Sequence, residues 1–92
     1  MTPATSLLLV DDHGLVRHGL QLLIQELLPG ARVSLAGSLA EALQVLATQG
    51  RFDLVLLDLT LGDVHGMAGL TRLREAHPYV PCLLYTSPSP RD

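Results

Sequence analysis

The chain reads as an α/β protein built on a doubly wound parallel sheet, and three observations carry that reading. Strand-like and helix-like patterns alternate along it, the signature of a parallel α/β arrangement. Two of the strand-like runs, Leu7-Leu8-Leu9-Val10 and Leu54-Val55-Leu56-Leu57, are apolar throughout, as strands are when helices bury both of their faces. Each run ends in aspartate, with Asp11-Asp12 after the first and Asp58 after the second. In open parallel sheets the carboxyl ends of the strands form the rim where ligands bind. Two neighbouring strands would therefore deliver three acidic groups to one edge. Clustered carboxylates repel one another, so the arrangement makes most sense with a hard divalent cation and a phosphate nearby.

The elements follow in order. The first strand covers about Ser6 to Val10. A helix from about Leu15 to Leu28 places Val16, Leu20, Leu23 and Leu27 at helical spacing, and Pro29-Gly30 stops it. Arg32 to Ala36 forms the second strand, where Val33 and Leu35 alternate with polar neighbours. That alternation suits an edge position better than a central one. Ser38 opens the second helix, with Glu41 three residues later completing a capping box. Leu39, Ala42, Leu43 and Leu46 supply its apolar side, and Gln49-Gly50 ends it. The third strand runs from Phe52 to Leu57, and Gly62 to Gly66 is a loop. The third helix, about Met67 to Ala76, buries Met67, Leu70 and Leu73, and His77-Pro78 terminates it.

Ninety-two residues allow one domain, and a 48% hydrophobic content argues for a globular chain over a disordered one. A net charge of −3 gives no support for nucleic-acid binding by this segment itself. The lone cysteine, Cys82, excludes an intramolecular disulfide. No apolar run spans a membrane and no signal-peptide pattern precedes Leu7, so no membrane role and a cytoplasmic location are expected.

The order Val10-Asp11-Asp12-His13-x-Leu15-Val16-Arg17-x-Gly19-Leu20 resembles the start of a bacterial response-regulator receiver domain, and within receivers the NarL/LuxR type. The second block, Asp53-Leu54-Val55-Leu56-Leu57-Asp58-Leu59-Thr60-Leu61-Gly62-Asp63-x-x-Gly66, resembles the receiver phosphorylation strand and the loop after it. Gly62 stands where the family usually has proline, a change that loosens the loop and leaves the carboxylates in place. The resemblance covers residues 6 to 81. It implies a flavodoxin-like (CheY-like) fold, truncated here after about three βα units. It also implies that Asp58 is a phosphoacceptor taking a phosphoryl group from a sensor histidine kinase. Mg²⁺ would be held by Asp11 or Asp12, Asp58 and the backbone carbonyl of Thr60, with Asp12 the better candidate for direct coordination and Asp11 acting through water. The domain would be a signalling phosphoacceptor, not an enzyme with turnover. Transcription would be controlled through a C-terminal DNA-binding domain that this sequence does not encode, in a full-length protein able to form a homodimer.

Residues 82 to 92, Cys82-Leu83-Leu84-Tyr85-Thr86-Ser87-Pro88-Ser89-Pro90-Arg91-Asp92, resemble something else. A transposase-type sequencing-library adaptor translates to this peptide residue for residue. The receiver is therefore assigned to residues 1 to 81 and the remainder to a non-native tail. The other reading of the tail is a natural fourth strand followed by a Pro-rich loop. Thr86 falls where a receiver's switch hydroxyl would sit, a position it occupies by accident if the tail is adaptor. If the tail is foreign, the third strand is left with an unpaired edge.

Several residues read as ordinary structure. A lone aspartate after a strand more often caps a helix, so the site rests on the Asp11-Asp12 pair together with Asp58. Asp63 reads as a solvated loop residue. His13, His18, His65 and His77 show no ligand spacing on one element and read as surface or boundary residues. Arg17, Arg72 and Arg74 read as solvated helix faces. No lysine occurs anywhere in the chain, whereas a receiver normally brings one from its fifth strand to the phosphoryl group. That absence keeps open a second reading, a non-phosphorylatable interaction fragment. A third, a haloacid-dehalogenase-type phosphohydrolase, needs Asp-x-Asp-x-Thr, where this chain has Asp58-Leu59-Thr60-Leu61-Gly62. A flavodoxin-like cofactor binder would need a Gly-rich loop after the first strand, and Asp-Asp-His-Gly follows instead.

Overall fold

The computed structural model describes residues 5–49, 51–59 and 67–85. The element order is β1 (Ser6–Val10), α1 (Gly14–Leu27), β2 (Arg32–Ala36), α2 (Leu39–Gln49), β3 (Leu54–Asp58), α3 (Met67–Ala76) and β4 (Cys82–Tyr85). The four strands form one parallel sheet in the order β2-β1-β3-β4. This is the flavodoxin-like, CheY-like arrangement that the family resemblance implies, on the parallel α/β sheet expected from the alternating pattern.

Strand position follows composition. The all-apolar β1 and β3 take the two central places, and the alternating β2 takes an edge. The other edge belongs to β4, formed by the first residues of the adaptor-like tail. Val55 to Asp58 pair with Cys82 to Tyr85 in parallel register, so the expectation of an unpaired third strand does not hold. Three βα units are followed by a fourth strand.

The main core lies on the face covered by α2 and α3. Leu8, Val10, Val55 and Leu57 meet Leu39, Ala42, Leu46 and Leu73 there. Burying a leucine of this kind contributes roughly 1.5–3 kcal/mol. Leu70 packs partly against the same cluster, while the side chain of Met67 lies outside the described residues. Helix α2 starts as its capping box requires. Ser38 Oγ accepts the Glu41 N–H at 3.1 Å, and the Glu41 carboxylate accepts the N–H of Gly37 at 2.7 Å. The reciprocal bond thus falls one residue before the cap.

The opposite face is less well covered. Leu7 and Leu9 are buried there, but α1, which packs on β1 and β2, has no buried residue. Val16 and Leu20 are half-buried, whereas Leu23 and Leu27 of the expected stripe are 52% and 68% exposed. The amphipathic spacing states which side chains a helix can bury. Among the described residues, little packs against the outer part of that stripe.

Candidate functional site

Strand register assembles the site. Val10 of β1 is level with Leu57 of β3, so the next residues, Asp11 and Asp58, come level at the carboxyl end of the sheet. Asp58 is in turn level with Tyr85 of β4. Backbone pairing continues past the strands, with Asp11 N–H donating to Ala36 O at 3.0 Å and Leu59 N–H to Tyr85 O at 2.8 Å. The rim is therefore a hydrogen-bonded continuation of the sheet. Asp11 and Asp58 are the two buried polar residues among those described, at 0% and 1% exposure, while the Asp12 side chain is about one-third exposed. The structure thus brings together the three carboxylates singled out from the sequence. Thr60 and Thr86 lie outside the described residues, as do Asp63 and His65.

Each oxygen of Asp11 is occupied. Its Oδ1 accepts the backbone N–H of His13 at 2.8 Å and faces His13 Nδ1 at 3.0 Å. Its Oδ2 accepts the Tyr85 hydroxyl at 2.8 Å. Asp11 therefore turns the chain from β1 into α1 by a local side-chain to backbone bond two residues on. Tyr85 reaches it across β3, a span of two strand spacings or about 9.6 Å. Burial, the hydrogen bond to Asp11 and the surrounding carboxylate charges hold the phenol well above its usual pKa. The hydroxyl accordingly stays a donor.

Two residues read from the sequence as ordinary surface are part of the rim. His13 Nδ1 lies 3.0 Å from Asp11, 3.1 Å from Asp12 and 3.6 Å from Asp58. The hydrogen bond to Asp11, aided by the charges of Asp12, Asp11 and Asp58, raises its pKa above 6.5 against the opposing effect of desolvation. Arg17 is half-buried, and its Nη1 donates to the backbone carbonyl of Asp11 at 2.8 Å. A Cβ at Gly37 would come within 2.9 Å of that guanidinium, so glycine gives the arginine room to reach back. Spacing along one element could not reveal His13, because its partners come from two strand ends. Its place directly after Asp11-Asp12 was the available signal. His18 is exposed and His77 half-buried, as surface and boundary positions should be.

Chemically, the donors of Asp11, Asp12, His13 and Asp58 all lie within 4.8 Å of one another. Buried like charges at this range need a cation or a proton between them. Oxygen-rich sets of this kind suit a hard divalent ion such as Mg²⁺, and the residues present fit it.

Comparison with known proteins agrees with this geometry. Residues 7–92 match the response regulator receiver domain family. The glycerol metabolism activator of Pseudomonas putida is 33% identical over 81 residues, which is 88% of this chain and 37% of that protein. The chain thus spans well under half the length of that relative. A LuxR family DNA-binding response regulator from Silicibacter pomeroyi superposes with a TM-score of 0.75 at 35% identity, covering 87% of this chain and 62% of that one. The MaeR response regulator bound to beryllium trifluoride superposes with a TM-score of 0.80 at 28% identity, covering 94% of this chain and 70% of that one. Among the described residues no helix is long and apolar enough to cross a membrane. The match across most of its length, over a parallel sheet with an acidic rim, makes this chain a member of the response regulator receiver domain family.

Proposed function

We propose that the chain is the phosphoacceptor receiver of a two-component response regulator of the NarL/LuxR type. A sensor histidine kinase supplies the phosphoryl group, Asp58 accepts it, and transcription is controlled through a separate C-terminal DNA-binding domain. The register that sets buried Asp58 level with buried Asp11, beside Asp12, carries this reading. The similarity to a transcription activator and to a LuxR family regulator supports the type. Action in the cytoplasm, and dimerisation of the full-length protein, belong to the same proposal.

In the transfer, an Asp58 carboxylate oxygen attacks the phosphorus. The new O–P bond forms as the P–N bond to the kinase histidine breaks, and the imidazole leaves with its electron pair. Mg²⁺ would supply charge neutralisation between the two anionic reactants. Asp12 and Asp58 would hold it directly, with the Thr60 carbonyl, and Asp11 would act through water because both of its oxygens are already hydrogen-bonded. Arg17 fixes Asp11 from its backbone end.

Residues 1–81 are proposed as receiver and 82–92 as translated adaptor, on the strength of the identity across that peptide. On this reading the Tyr85 contact belongs to the polypeptide as written and implies no counterpart in the gene. A second reading is that the polypeptide as written binds a partner without being phosphorylated.

Incubation with acetyl phosphate separates the two. The phosphoacceptor reading expects acid-stable, base-labile phosphate uptake that needs Mg²⁺ and is abolished by Asp58→Asn. Uptake that survives Asp58→Asn rejects Asp58 as acceptor, and no uptake by the wild-type chain supports the interaction fragment.

A further inference from the structure

We propose that Arg17 and Gly37 work as one positioning device for the acidic rim. Gly37 leaves a notch that seats the Arg17 guanidinium, and the guanidinium orients the peptide group that carries Asp12. The inference rests on the proposed role of Asp12 as a direct ligand of Mg²⁺.

The device begins where the β1–β2 ladder stops. Val10 is level with Ala36, and the Asp11 N–H still reaches Ala36 O at 3.0 Å. Past that point the Gly37 N–H goes to the Glu41 carboxylate at 2.7 Å. The Asp11 carbonyl takes its donor from α1 instead, with Arg17 Nη1 at 2.8 Å. That carbonyl and the Asp12 N–H belong to one planar peptide group. Holding the oxygen therefore fixes the plane, and with it the direction in which Asp12 leaves the sheet. Packing constrains Asp12 least of the three carboxylates, for its side chain is about one-third exposed while Asp11 and Asp58 are buried. Backbone orientation accordingly matters most at Asp12.

Glycine at position 37 answers to the guanidinium and not to its own backbone. Its φ is not positive, so alanine can adopt the same conformation. A Cβ there would stand 3.5 Å from Glu41 Oε1, an ordinary contact, but 2.9 Å from Arg17 Nη1, which is too close. Only the arginine has to move, and it meets the Cβ with the far end of a flexible side chain. Gly37→Ala therefore displaces the guanidinium while keeping its charge in the molecule. Arg17→Gln removes position and charge together. Electrostatics alone would act in the opposite sense, because losing a cation beside three carboxylates favours Mg²⁺.

The test is calorimetry on the full chain with Mg²⁺ as the probe. Gly37→Ala and Arg17→Gln should each weaken binding about tenfold or more, the scale expected when a group that orients a ligand is lost. Without Arg17 the added methyl has nothing to displace, so the double variant should bind within about twofold of Arg17→Gln. Phosphate uptake from acetyl phosphate should slow at limiting Mg²⁺ and recover at saturating Mg²⁺, which a damaged fold would not allow. In the ion-free variants the amide resonance of Asp12 should move while those of Leu8 and Leu9 stay in place. A Gly37→Ala affinity within about twofold of wild type overturns the inference and leaves the cation site standing. Tighter binding by Arg17→Gln, or losses that multiply in the double variant, also overturn it. Failure of the unsubstituted chain to bind Mg²⁺ removes the cation site and this inference together. Gly37→Ala keeps every other side chain, so an Arg17→Gln chain that folds poorly does not blunt the test.

Discussion

Replacing Tyr85 with phenylalanine removes one hydroxyl and nothing else, and the structure sets the size of the effect. The lost bond is 2.8 Å long and its acceptor, Asp11, is fully buried. A hydrogen bond to a charged group contributes about 1.5–3 kcal/mol, toward the upper end when the acceptor is left buried without its donor. The aromatic ring stays, so the packing of β4 is retained. A loss of about 2 kcal/mol in a domain of this size lowers Tm by about 8–16 °C. Thermal unfolding followed by circular dichroism measures it, read as a single cooperative transition. A double-mutant cycle isolates the contact. In an Asp11→Ala background, where no carboxylate waits for the hydroxyl, Tyr85→Phe should cost less than about 0.5 kcal/mol. A Tyr85→Phe melt within about 2 °C of wild type, or an equal cost in both backgrounds, would show that β4 does not tie Asp11.

Other expectations follow from the same geometry. Leu8→Ala opens a cavity at a fully buried position and should cost about 2–5 kcal/mol, whereas Leu15→Ala, at 86% exposure, should stay within about 0.5 kcal/mol; urea unfolding compares the two. His13 has a folded pKa raised above 6.5, so its stabilising contribution is full below that pH and is lost as pH rises through the raised value. Its imidazole resonances should titrate above 6.5, and His13→Gln should flatten the stability profile in that window. The exposed Leu22, Leu23 and Leu27 of α1, with Leu28 just after it, form an apolar stretch, so the chain alone should self-associate and Leu23→Lys with Leu27→Lys should reduce it in sedimentation experiments. Reading the source DNA past the Pro81 codon should give a different strand in place of Cys82 to Asp92. A genome that encodes the peptide itself refutes the adaptor assignment.

Much of the fold was legible because burial on both faces leaves a strong mark. The apolar runs located β1 and most of β3, and polar alternation located β2 at an edge. The observed β3 runs from Leu54 to Asp58, and Asp53 just ahead of it donates its N–H to Ser6 O and accepts the Ser6 N–H on its carboxylate, both at 2.7 Å. β4 was harder, since a short strand is defined by its partner and Cys82-Leu83-Leu84-Tyr85 was read by its origin. The carboxylates were legible because strand ends place them by topology alone. His13, Arg17 and Tyr85 were not, for their roles depend on distances between strands that spacing along one element does not encode.

The central claim is that Asp58 receives the phosphoryl group. An aspartyl phosphate is an acyl phosphate, which borohydride reduces to homoserine, so the modified position can be mapped by peptide mass spectrometry after reaction with acetyl phosphate and Mg²⁺. The account predicts homoserine at position 58 and at no other aspartate. Reduction at position 11, 12 or 53 would contradict it, since the acceptor would then lie elsewhere than at the end of β3.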